Sequence, residues 1–207
     1  MKNMRLMILL LILIPTSVFA TNATNGEDLT EVLGIRIDRG ITLADIQNKL
    51  GKAKLVETGD GGEYKAAICY YSPRCNTQVE FWSVDLGGPE HDLIGFTLSR
   101  STNKSPVCAE LAIDDCAGLI VPRGAKLGMT LDRFKDIIGS DVKLEGSFYQ
   151  KAFERRQPMT EAERTKMLKS DPNFSPEELY WDIVIFVRGA FRSGVLDILE
   201  VSKTETN

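Results

Sequence analysis

The 207-residue chain contains a single histidine, His91, and with it go most zinc ligand sets and most histidine-based acid–base catalysts. It also lacks a G-x-S-x-G turn, an H-E-x-x-H pair and a phosphate-cradling glycine loop. Basic residues are outnumbered, 25 Lys and Arg against 29 Asp and Glu, so a general affinity for nucleic acid, which rests on a basic surface, is not expected. Apolar runs are short. The longest opens the chain, in MKNMRLMILLLILIPTSVFA, where Lys2 and Arg5 precede Leu6 to Ile14. It is too brief for a permanent membrane span.

That opening reads as a secretory signal, with Val18 and Ala20 meeting the small-residue rule for cleavage after Ala20. The chain then divides into residues 1–20 as signal, 21–29 as a flexible N-terminus, and a mature part whose net charge moves from −4 to about −6 once Lys2 and Arg5 are gone. No cysteine lies near the cut, so no lipid anchor is expected and the mature protein should be soluble. Its destination is the periplasm or the medium. Four cysteines, Cys69, Cys75, Cys108 and Cys116, suit disulfides in such a compartment. Three connectivities exist. The local pairs, Cys69 with Cys75 and Cys108 with Cys116, are favoured because each closes a short loop. Neither spacing is the C-x-x-C of a redox pair or a usual zinc knuckle, and no cofactor is expected.

Compared with itself, the chain repeats. GITLADIQNKLG at 40–51 returns as GMTLDRFKDIIG at 128–139. Thr42 and Thr130 stand where a hydroxyl caps a helix, and Gly51 and Gly139 where a left-handed residue ends one. Leu43, Ile46 and Leu50 in one copy, and Leu131, Phe134, Ile137 and Ile138 in the other, fall on one helical face. Helices of two to three turns do not persist alone, so each needs a sheet. The segments that follow, KLVET, YKAAICYYS, TQVEFWSVDL and LIGFTLSR, then KLEGSFYQKAF, YWDIVIFVRG and GVLDILEVS, have the β-branched and aromatic content of strands. Tyr64, Ala66, Ile68 and Tyr70 share one strand face and Lys65, Cys69 and Tyr71 the other, while Trp181, Ile183, Ile185 and Val187 form an apolar row.

The expected fold is therefore α+β, in two tandem units at 30–125 and 126–207. Each is a short helix packed on an antiparallel meander, the two together giving one continuous or concave sheet surface. The second carries a helical insertion over 154–180, with a capping box at Thr160 and Glu163 and a further helix start at Ser175 to Glu178.

The G-[IM]-T-L-x-x-[IF]-x-x-x-[LI]-G helix followed by a meander resembles the SmpA/OmlA (BamE-like) outer-membrane assembly proteins. Its duplication resembles the secreted β-lactamase-inhibitor proteins. The resemblance implies a noncatalytic module that presents a sheet surface and hairpin loops to another protein of the envelope or the medium, as an inhibitor, immunity-type protector or assembly accessory. In the inhibitor family a loop enters the target's active site, and the nearest position here is Ser72 to Asn76, which includes Pro73 and Arg74. From the residues themselves, Tyr71 and Trp82, on the more polar strand face, are candidate binding anchors, since interfaces favour Tyr, Trp and Arg. Arg155 and Arg156 belong to a basic run in the insertion suited to an acidic partner.

Two other classes compete. One is an envelope hydrolase or metal-dependent enzyme built on His91 with Asp85, Glu90 and Asp92; as a turn residue, His91 is expected to be exposed. The other is a carrier holding a small apolar ligand between sheet and helix.

Overall fold

The computed structural model describes residues 26–38, 40–170, 173, 175 and 179–206. Two short strands, β1 (Glu31–Val32) and β2 (Ile35–Arg36), form a hairpin through Leu33 and Gly34, both at positive φ as a two-residue turn demands. Then come α1 (Leu43–Leu50), β3 (Leu55–Thr58), β4 (Lys65–Ser72), β5 (Thr77–Val84), β6 (Gly95–Arg100) and β7 (Ala109–Glu110). The chain continues with α2 (Leu131–Ile138), β8 (Lys143–Glu145), β9 (Phe148–Pro158), α3 (Glu161–Ser170), β10 (Tyr180–Arg192) and β11 (Val195–Thr206). The fold is mixed α+β with one large sheet, in the order β3-β4-β5-β6-β11-β10-β9-β8, antiparallel throughout; β7 adds in parallel to β4. Strands β6 and β11, each closing the antiparallel meander that follows its helix, pair at the centre through Ile198↔Ser99 to Ser202↔Gly95.

Both helices start as their sequences require. Thr42 accepts the Asp45 N–H at 3.2 Å while the Asp45 carboxylate accepts the Thr42 N–H at 2.9 Å, a closed capping box. These contacts hold the Asp45 carboxyl below its ordinary value of 3.8, chiefly through the bond from the Thr42 backbone. Thr130 accepts from Arg133 N–H at 3.4 Å. The helix ends differ from the left-handed turn expected of them. Gly51 and Gly139 have φ of 100° and 112° with extended ψ of 165° and 152°. Only glycine adopts that region without strain, and it sends the chain straight out of the helix toward the next strand.

One core serves both halves. Leu43 and Ile46 of α1 and Phe134, Ile137 and Ile138 of α2 are buried in the same apolar cluster as Ile68, Phe81, Phe96, Leu98, Ile183, Ile185 and Val201. Each large side chain so buried contributes about 1.5–3 kcal/mol. Tyr70 is fully buried there and donates its hydroxyl to Gly51 O at 2.7 Å, tying β4 to the end of α1; loss of hydration raises its phenol to about 12. The register of β10 with β11 shifts between Ala190 and Phe191, and this bulge keeps Leu196 buried beside Phe191 in the core. Leu29, the last residue of the stretch expected to be flexible, is fully buried too.

The second half departs from a wholly helical insertion. Residues Glu154 to Pro158 extend β9, and the helix α3 is confined to Glu161–Ser170 behind the expected Thr160–Glu163 box, in which Thr160 N–H donates to Glu163 at 2.7 Å. Most of the second expected helix start, residues 176–178 included, lies outside the described residues.

Candidate functional site

The pleat gives the sheet two unlike faces. The inner face carries the core just described. On the outer face lie Lys65, Ala67, Cys69 and Tyr71 of β4, Gln78, Glu80 and Trp82 of β5, Gly95, Thr97 and Ser99 of β6, and their partners across β11, β10 and β9. One cross-strand row runs Ala67, Trp82, Gly95, Ser202, Phe186, Ala152. Trp82 leans over Gly95, where a Cβ would stand 2.4 Å from the indole, so only glycine admits that pose. The half-buried Trp82 also receives the Lys65 ammonium at 5.5 Å from its ring, while its Nε1 has no hydrogen-bond partner among the described residues. Phe186 is 38% exposed. Between these aromatics in the row lie Gly95, covered by the Trp82 ring, and the half-buried Ser202.

Phe186 was not selected from sequence. The signal was present: in the row Trp181, Ile183, Ile185, Val187 the intervening positions must face outward, and Phe186 is one of them. Tyr71 is a correction in the other direction. It is 6% exposed, because the segment after β6 folds back over that end of the outer face and buries Tyr71 with Cys69 and Cys108. It is a packing residue and no anchor.

The disulfides correct the favoured pairing. Cys69 joins Cys108 and Cys75 joins Cys116, with Cα separations of 4.4 and 5.8 Å. Local pairing fails because Cys69 lies in β4 three residues before its end while Cys75 sits beyond the strand in the hairpin tip. At about 3.3 Å rise per residue those sulfurs are pulled apart. Strand β7, parallel to β4, sets Cys108 beside Cys69, and the turn at Ala117–Leu119 carries Cys116 to the tip. The tip from Ser72 to Asn76 is thereby pinned, with Pro73 and Arg74 exposed on it.

Arg155 and Arg156 lie on strand β9 rather than on a helix, and both are engaged. Arg155 pairs with Glu27, and Arg156 with Asp182 at 3.3 Å, its guanidinium 5.0 Å from the Tyr180 ring centre. Arg155 therefore serves to fasten the N-terminal segment to the sheet. His91 is half-buried rather than exposed. It occupies a turn at φ 55°, its ring lies 6.2 Å from that of Tyr64, and its Nε2 is 4.0 Å from Glu57, not beside Glu90. Tyr64 donates to Glu57 at 2.5 Å, which lifts its phenol to about 12.

A buried charge went unnoticed in the sequence. Lys203, 7% exposed on the inner face of β11, meets Glu205 at 3.0 Å, Asp38 at 3.4 Å and Glu27 at 3.5 Å. A small pocket of 210 Å³ opens beside it, lined also by Trp181, Asp92 and Leu86. Among the described residues no cluster of three or more His, Cys, Asp or Glu is placed to hold a metal ion, and no helix is long and apolar enough to cross a membrane. The two disulfides are consistent with an exported protein. The chain matches no family model, no curated protein and no solved structure.

Proposed function

We propose that the protein is an exported, noncatalytic module that binds another protein of the envelope or the medium through the outer face of its sheet. The observation that carries this is the Trp82–Gly95–Ser202–Phe186 row. Two aromatics stand on the face turned away from the core, Trp82 lying flat over Gly95 and Phe186 exposed beside Ser202, and together they offer apolar contact area on an otherwise polar surface. Large aromatics near the middle of a flat, well-supported surface are the residues that carry most interface energy. Rigidity helps as well, since a tip and sheet already fixed by two disulfides lose little conformational freedom on binding.

The reading extends to architecture. The chain is a tandem duplication in which α1 with β3–β6 and α2 with β8–β11 are equivalent units joined edge to edge at β6 and β11. The repeated G-x-T-L segments and the symmetric strand order support it. This is the helix-plus-meander arrangement to which the sequence bears its resemblance, BamE-like in the unit and inhibitor-like in its pairing. Residues 1–20 direct the chain to the periplasm, where the disulfides form.

The test is affinity capture from envelope extract with wild type and a Trp82→Ala, Phe186→Ala variant as baits. A specific partner held by wild type and lost from the variant is the expected result. Identical captured proteins in both would discard the outer face as the binding surface.

A further inference from the structure

The end of the sheet where its hairpin tips gather has a charge opposite to that of the chain. Antiparallel register places Ser72 and Thr77 of the β4–β5 hairpin, Arg100 at the end of β6, and Arg192 and Val195 of the β10–β11 hairpin at one end. Two open hollows meet there, sharing Arg100 and Val195. One, of 610 Å³, also holds Arg192; the other, of 500 Å³, also holds Lys126 and reaches the Cys75–Cys116 bridge. Arg74 projects from the adjoining tip.

Four cations thus border the tip end of a protein whose net charge is −4. The side chains of Arg74, Arg100 and Lys126 form no hydrogen bond or ion pair among the described residues. Arg192 is 81% exposed and meets Asp197 at 3.4 Å, the single carboxylate lining either hollow. Asp115, next to the bridge, is turned to its own backbone, accepting the Ala117 N–H at 2.8 Å. Three of the four cations have no carboxylate partner, so this end carries a local positive field that an anionic partner would complement.

We propose that this end docks an acidic segment of a partner protein, with Arg100 at its centre and Arg74, Lys126 and Arg192 around it. The inference rests on the protein-binding reading and names the chemistry of the partner. A single phosphate fits poorly, because Arg100 and Arg192 lie two strands apart, about 10 Å, whereas one tetrahedral anion needs its donors within about 3 Å. An extended chain carrying several carboxylates spans that distance. Ile120, 40% exposed in the same hollow, offers its apolar neighbours a contact.

The experiment is fluorescence anisotropy with a labelled peptide of about 12 residues, alternating Glu with Leu and Gly, at about 20 and about 300 mM salt. A matched peptide with Lys for Glu is the counter-probe. The acidic peptide should bind wild type and weaken with salt. Binding should fall about 10-fold or more in Arg100→Glu, Arg192→Glu and stay within about 2-fold in Lys54→Glu, Lys143→Glu, which changes net charge equally at exposed sites elsewhere. Unchanged melting of both variants excludes misfolding as the cause. Absence of binding, equal loss in both variants, binding of the Lys peptide, or displacement by equimolar pyrophosphate overturns the proposal. The Trp82→Ala, Phe186→Ala protein separates the two readings. If it keeps the acidic peptide but loses the captured partner, both stand; if wild type captures its partner through Trp82 and Phe186 yet ignores the peptide, only this inference falls.

Discussion

Removing one disulfide at a time should reveal how the two bridges share one task. Alone, either bond closes a loop of about 40 residues, worth about 4 kcal/mol in chain entropy. The bridges interleave, however, so with Cys69–Cys108 already formed the second bond closes only the ring from 69 to 75 and from 108 to 116. That ring has about 14 residues, and its closure is worth about 3 kcal/mol. The variant Cys75→Ala, Cys116→Ala should therefore lose about 3 kcal/mol, or about 6–12 °C in Tm for a chain of this size. The variant Cys69→Ala, Cys108→Ala should lose more, since both cysteines are buried against Tyr71 and their truncation also removes packing. Thermal and urea denaturation followed by circular dichroism measure the loss, and thiol titration of the unfolded variants tests its premise. Neither variant should release a thiol. Two free thiols in each, as local pairs would leave, would refute the interleaved bridging and the entropy argument with it.

Lys203→Met should destabilise the fold by about 3 kcal/mol in urea titrations, because it removes the buried ammonium shared by Glu205, Asp38 and Glu27, of which Glu27 keeps Arg155; a neutral effect would show those acids to be well hydrated. Tyr70→Phe should cost about 1 kcal/mol through the unpaired Gly51 carbonyl. The same phenol sets an alkaline limit. Its value is raised from 10.0 to about 12 in the folded protein, so its contribution is complete below pH 10, where it is neutral in both states, and is lost as pH rises from 10 to 12 and the unfolded chain ionises first. Wild type should therefore lose more stability across that window than Tyr70→Phe. Phe134→Ala, at the centre of the α2 contact, should cost about 3–5 kcal/mol and leave a single cooperative transition, because both helices share one core. Two separated transitions would mean that the halves fold independently.

What the sequence made legible was local. Caps at Thr42 and Thr130, the buried helix faces and the inward row Ile183, Ile185, Val187 follow from short-range chemistry and periodicity, and they stand in the fold. The helix ends were read less well: glycine was required at 51 and 139, but for an extended exit at positive φ rather than a left-handed turn. Long-range placement was not legible. Nothing near Tyr71 shows that residues 108–110 return to cover it, so its strand face suggested exposure where the chain buries it. The same return crosses the cysteine pairs, which short loops alone would have joined locally. Lys203 belongs to no motif, and only the fold sets it, on β11, against Glu27 and Asp38 from the far end of the chain as well as its neighbour Glu205.

The binding reading is tested most directly by photo-crosslinking from the outer face in living cells. Thr97, in the middle of β6 and beside Glu80 and Glu200 in the sheet, is replaced with p-benzoylphenylalanine; Asp136, exposed on α2 on the opposite side, receives the same substitution as control. A discrete adduct of higher mass at position 97, absent at 136 and lost when Trp82→Ala, Phe186→Ala is added, is the predicted result. No adduct at 97, or the same adducts at both positions, would contradict a partner seated on the sheet.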